Sequence, residues 1–196
     1  MPKSSEPTRE RILKAAYARF RREGFTRVGV DEIAAAAKVT KRTLYYHFRS
    51  KDELLAAVLE SQHQMALNAF RTFGDSLSGR PEKIVEQLFD QIMRWSSQPR
   101  WTGSGFTRLA MELADMPGHP ARRIAKQHKK ILEDCLADLL KKAGVPSPRD
   151  RAREVWLLSE GAISLIFIHG DPEYAKAAGD AAKRLVAPTP LPSASA

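Results

Sequence analysis

The residues from Gly29 to Leu54, GVDEIAAAAKVTKRTLYYHFRSKDEL, constrain the fold more than any other part of the chain, because they specify two helices, the turn between them and the start of a third. Val30, Ile33, Ala34 and Ala37 recur at i, i+3, i+4 and i+7, the spacing of one buried helical face. That helix should stop near Lys38 and Val39. Thr40 then stands where an N-cap hydroxyl accepts a hydrogen bond from an otherwise unpaired first-turn N–H. In the second helix Leu44 and Phe48, at i and i+4, mark the inward face. At about 100° per residue the opposite direction falls on Tyr46, with Arg42 and Thr43 beside it. Ser50 with Glu53 predicts a capping box that opens a third helix and puts Lys51 in its exposed first turn. The result is a helix-turn-helix with an aromatic and basic outer face, suited to the phosphates and base edges of a DNA major groove.

The run VTKRTLYYHFRSKDEL, preceded by GFTRVGVDEIA, resembles the DNA-binding segment of the TetR family of bacterial transcriptional regulators, from the LYYHF core to the Ser-Lys-x-x-Leu that follows it. The likeness covers roughly Thr8 to Leu59; beyond it the chain resembles the family in length, helical content and element order. Two positions depart from the family pattern. Arg42 and Lys38 stand where members commonly have glycine, and Lys38 puts a side chain at a turn position that favours left-handed backbone. The resemblance implies a repressor and a four-helix dimer interface, and it gives His47 a phosphate contact. From their direction on the helix, Arg42 and Tyr46 are expected to read bases. Thr40, Lys41, Tyr45, His47 and Lys51 are expected to hold phosphates, with Thr43 on the same face.

Charge agrees with a polyanionic partner. The chain carries a formal net charge of +9, and residues 1–54 hold 13 Lys or Arg against 7 Asp or Glu, while residues 55–196 hold 19 against 16. A basic helix lying on a membrane is the rival reading, but the apolar face of each N-terminal helix is needed for mutual packing. Cys135 is the only cysteine, so no intramolecular disulfide is possible, which fits a reducing compartment. The polar start MPKSSEPTRERIL has no apolar leader core, and no run of 18 apolar residues occurs. A cytoplasmic protein, nucleoid-associated in a bacterium and without a membrane partner, is expected.

Ahead of the helix-turn-helix, Ile12, Leu13, Ala16, Tyr17 and Phe20 predict a supporting helix closed by Glu23-Gly24. After Lys51 the helical pattern runs through Leu54, Leu55, Val58, Leu59 and Met65 towards Phe73, and Gly74 to Pro81 reads as the first clear break. Ile84, Leu88, Ile92 and Trp95 predict the next helix. A shorter one follows from Phe106 to Ala114, then a long one from Ala121 to Gly144. Val155 to Ile168 is apolar on nearly every side and so must be buried all round, more than one chain of this size can supply. In the last helix Tyr174, Ala177, Ala178, Ala181, Ala182 and Leu185 form a stripe of small residues that permits close helix approach. A homodimer through these two helices is expected, with Trp156, Ile163, Phe167, Tyr174, Ala178, Ala181 and Leu185 at the interface.

The fold class expected is all-α, with about nine helices. A helix-turn-helix domain should span 8–54 and a helical ligand-binding and dimerisation domain 55–187, with mobile tails over 1–7 and 188–196. The five histidines are scattered in sequence, no metal-ligand spacing or nucleophile elbow occurs, and Cys135 falls on an apolar stripe, so neither an enzyme, a metal site nor a cofactor is expected. Phe89, Met93, Trp95, Trp101, Phe106 and Met111 cluster between two linkers, as ordinary core residues or, with Met65 and His128, as the lining of a cavity for a small-molecule effector. The partners expected are a palindromic operator in double-stranded DNA, a second copy of the chain and an unidentified effector. A ligand-independent or protein-regulated DNA-binding module is the alternative, and an enzyme the distant one.

Overall fold

A computed structural model describes residues 7–77 and 79–187; apart from Pro7, the expected tails lie outside them. The described residues form nine α-helices: α1 (Thr8–Glu23), α2 (Val30–Ala36), α3 (Lys41–His47), α4 (Lys51–Ser76), α5 (Pro81–Ser96), α6 (Gly105–Glu112), α7 (Pro120–Lys142), α8 (Pro148–His169) and α9 (Glu173–Val186). Among them no helix is long and apolar enough to cross a membrane.

The chain divides into two compact units. The first holds the described residues through Asn68 together with Ser104–Lys129; the second holds Ala69–Gly103 with the described residues from Lys130 onward. This differs from the sequence-based division between 54 and 55. The first unit takes in most of α4, all of α6 and the start of α7, because Phe106, Leu109, Leu113, Ala121 and Ala125 join the core made by Ile12, Ala16, Phe20, Ile33, Leu44, Phe48 and Leu54.

Local sequence accounts for the first unit's joints. α1 ends where Gly24 turns to φ +89° and its N–H bonds the Phe20 carbonyl. α2 ends in a Schellman arrangement: Val39 N–H reaches the Ala34 carbonyl and Lys38 N–H the Ala35 carbonyl, both at 3.0 Å, with Lys38 at φ +56°. The left-handed position anticipated from the sequence is therefore occupied by lysine. Ser50 Oγ accepts from Glu53 N–H at 3.0 Å, while the Glu53 carboxylate accepts from Arg49 N–H at 2.8 Å, one residue ahead of the usual capping-box partner.

The second unit is held by apolar packing between helices brought close by small residues. Its core draws Val85, Leu88, Phe89 and Ile92 from α5, Leu136 and Leu140 from α7, Val155 and Ile166 from α8, and Ala175, Ala182 and Val186 from α9. One expectation needs correction. Gly74 does not break α4; a Cβ there would lie 3.3 Å from Leu139, so the glycine lets α7 approach and the helix runs on to Ser76. On α9 the face turned into the chain's own core is Ala175, Gly179, Ala182 and Val186; of the stripe expected at the dimer interface, Ala177 is exposed and Ala182 is shared with that core. Gly179 decides the facing, since a Cβ would stand 3.0 Å from Phe89 Cβ.

Candidate nucleic-acid interface

α3 is oriented by two residues. Leu44 is fully buried and Phe48 nearly so, which turns Tyr46 outward at 85% exposure and leaves Arg42 and Tyr45 at the surface. Thr40 caps the helix as its sequence position predicts, accepting from Thr43 N–H at 3.1 Å, and the two hydroxyls lie 2.8 Å apart. Lys41 Nζ sits 3.0 Å from Asp31 Oδ2, and this hydrogen bond raises its pKa; an exposed pair of this kind contributes little to stability. His47 is half-buried with its ring edge-on to Tyr46 at 5.3 Å.

Lys51 is less open than its sequence position suggests. Its ammonium lies 4.4 Å from the Phe25 ring centroid and 3.4 Å from the Thr26 carbonyl, and burial lowers its pKa. A phosphate at Lys51 has to compete with those contacts. The Arg9 guanidinium carbon lies 5.2 Å over the Phe48 ring, beside the end of α3.

The aromatic and histidine residues proposed as an effector pocket are divided between the two units. In the first unit, His63 and His128 are buried with their Nδ1 atoms 2.9 Å apart, and Phe106 stacks on His128 at 3.7 Å. Two histidines that read as scattered in the sequence are thus brought together. In that contact one Nδ1 carries the hydrogen and the other accepts it. Burial, helped by the Lys129 charge, lowers the His128 pKa to about 3. Met65 and Met111 are exposed, at 62% and 69%. Among the described residues no three His, Cys, Asp or Glu side chains gather to hold a metal.

In the second unit Trp95 and Trp101 meet edge to face at 5.3 Å, and Trp101 meets Phe167 at 6.4 Å. Among the described residues nothing accepts from the buried Trp101 Nε1. Met93 packs half-buried against the core, and Phe89 is buried beneath Gly179. Cys135 is half-buried, and burial raises the pKa of its thiol. Of the proposed dimer residues, Trp156, Ile163, Tyr174, Ala178, Ala181 and Leu185 are half-buried and Phe167 is exposed. α8 buries Val155, Ser159, Ala162 and Ile166, whereas Leu157 and Ile168 are each 68% exposed. The described residues therefore cover only one side of that helix.

Residues 12–58 match the model of the bacterial regulatory proteins of the tetR family. The HTH-type transcriptional repressor SCO4008 of Streptomyces coelicolor is 40% identical over 139 residues, 67% of this chain and 70% of that protein. The HTH-type transcriptional regulator YerO of Bacillus subtilis is 34% identical over 77 residues, a match that spans 39% of this chain but only 27% of YerO. The crystal structure of SCO4454, a TetR-family transcriptional regulator from Streptomyces coelicolor, superposes with a TM-score of 0.81 at 28% identity, covering 91% of this chain and 95% of that one.

Proposed function

The chain belongs to the TetR family of bacterial transcriptional regulators, and on that premise we propose that it is a homodimeric repressor that reads a palindromic operator with α3 and releases it when a small apolar or amphipathic molecule binds. The family and the relatives are transcriptional regulators, not enzymes.

One observation carries the DNA reading: α3 is anchored by Leu44 and Phe48 so that Arg42 and Tyr46 project together into solvent. Arg42 has the donor fork for a bidentate bond to guanine, and Thr40, Lys41, Tyr45 and His47 flank it where phosphates would lie. The uncovered apolar side of α8 supports a second copy as its cover, and a two-fold pair of recognition helices requires an inverted repeat in the DNA. Ile168→Arg would put an unpaired charge in that interface at a cost of several kcal/mol. SCO4008, a repressor, supports the sign of regulation.

The test is selection of bound duplexes from a random pool, together with sedimentation of the protein. Recovery of one inverted repeat by a dimer is expected. Unrelated fragments bound by a monomer at micromolar concentration would sink the reading. For release, ligands found by tryptophan fluorescence are titrated against the selected duplex. An effector should weaken it by about 5 to 150-fold, or about 1–3 kcal/mol, whereas ligands that leave the affinity unchanged favour a ligand-independent DNA binder.

A further inference from the structure

The turn between α1 and α2 sets where the helix-turn-helix begins, and its backbone N–H groups are gathered by a side chain from a distant helix. Glu112, at the end of α6, accepts from Phe25 N–H at 3.0 Å, from Thr26 N–H at 2.7 Å and from the Thr26 hydroxyl at 2.7 Å. Four residues earlier on α6, Arg108 Nη1 donates to the Arg21 carbonyl at 3.2 Å. One face of α6 thus grips both sides of the junction. A cation takes a carbonyl from the last turn of α1, and an anion takes N–H groups just beyond it, which is the sign of charge each prefers.

Gly24 admits the carboxylate. It lies at φ +89°, and a Cβ there would stand 3.1 Å from Glu112 Oε1. Burial alone would raise the Glu112 pKa, but the bonds from Thr26 and Phe25 and the nearby Arg108 charge bring it below its ordinary value. The pinned residue is also a junction of rings. Phe25 meets Phe20 of α1 at 5.4 Å and His119, just ahead of α7, at 5.8 Å, while the Lys51 ammonium of α4 covers its face. All of these residues belong to the first unit.

We infer that Glu112 is a positioning residue for DNA recognition: by holding the turn at Phe25 and Thr26, it fixes α2, and through α2 the recognition helix α3, at the angle at which Arg42 and Tyr46 meet the groove. A carboxylate repels phosphate, so Glu112 acts through the turn and not on the DNA itself.

The probe is the duplex that the wild-type protein selects from a random pool. The inference rests on the DNA-binding reading, and a wild type that selects nothing overturns both, whereas a variant that binds normally overturns only the inference. Glu112→Gln keeps the shape but turns one acceptor into a donor facing the Phe25 or Thr26 N–H. Its affinity should fall by about tenfold, with faster amide hydrogen exchange at Phe25 and Thr26. Thr26→Val removes only the hydroxyl and should cost about threefold, which keeps the question answerable if Glu112→Gln does not fold. Val85→Ala, in the core of the second unit, should lower the melting temperature while the folded protein binds as wild type. Folded variants at Glu112 and Thr26 that bind within about twofold of wild type, or that lose affinity without faster exchange at the turn, would overturn the assignment.

Discussion

The two units are held together by different means. In the first, side chains bonding backbone groups complete the joints that backbone bonds begin: Thr40 caps α3, Ser50 and Glu53 cap α4, and Glu112 clamps the turn after α1. In the second, the decisive contacts are apolar and close, with Gly179 against Phe89 and Gly74 against Leu139. Hydrogen bonds fix direction, and direction is what a surface presented to DNA needs. Close apolar packing fixes distance between helices and leaves the side of α8 that carries Leu157 and Ile168 uncovered.

The contrast can be broken most severely at Gly179. Gly179→Leu forces a branched side chain into Phe89, and overpacking of this kind costs about 3 kcal/mol. Denaturant unfolding should show the loss in the second unit, with amide protection in α1 to α3 retained. Equal loss of protection in α1 to α3 would erase the distinction between the units.

Acidification should act on the other unit. The His128 pKa is lowered to about 3 from 6.5, so the unfolded chain binds the proton more tightly than the fold does. The stability that neutral His128 contributes is complete above pH 6.5 and is lost as the pH falls from there towards 3. Unfolding midpoints measured from pH 8 to 5 should decline more steeply in the wild type than in His128→Asn. Parallel curves would mean that the buried pair does not control this slope.

The smallest effect sharpens the comparison at a single turn. Lys38 holds φ +56°, a conformation that costs a non-glycine residue about 1 kcal/mol. Lys38→Gly should therefore stabilise the protein by about 0.5–1 kcal/mol, visible as a higher denaturant midpoint. A lower midpoint would show that the lysine side chain contributes more than its backbone strain costs.

What the sequence disclosed follows the same division. The α2–α3 turn, the Thr40 cap, the Ser50 cap and the outward face of Tyr46 were legible because each depends on residues within a few positions. Gly74 was misread as a break because Leu139, which explains it, lies on another helix. The face of α9 that packs within the chain gave no signal, because alanine and glycine on either side look alike until Phe89 chooses between them. Glu112 gave no signal at all: its partners are 86 and 87 residues away and are mostly backbone N–H groups, which no side-chain pattern records. The pairing of His63 with His128, 65 residues apart, was hidden for the same reason.

The central claim is that α3 reads base sequence while its flanks hold phosphate. The most direct measurement titrates Arg42→Ala and Lys41→Ala against the selected duplex and against single-base mismatches at several salt concentrations. Arg42→Ala should lose about 1–3 kcal/mol on the preferred duplex and relax the preference at one base step, while Lys41→Ala should weaken every duplex alike and reduce the salt slope by about one per subunit. If Arg42→Ala instead loses the same affinity on matched and mismatched duplexes, α3 does not read bases through Arg42 and the account of the interface is wrong.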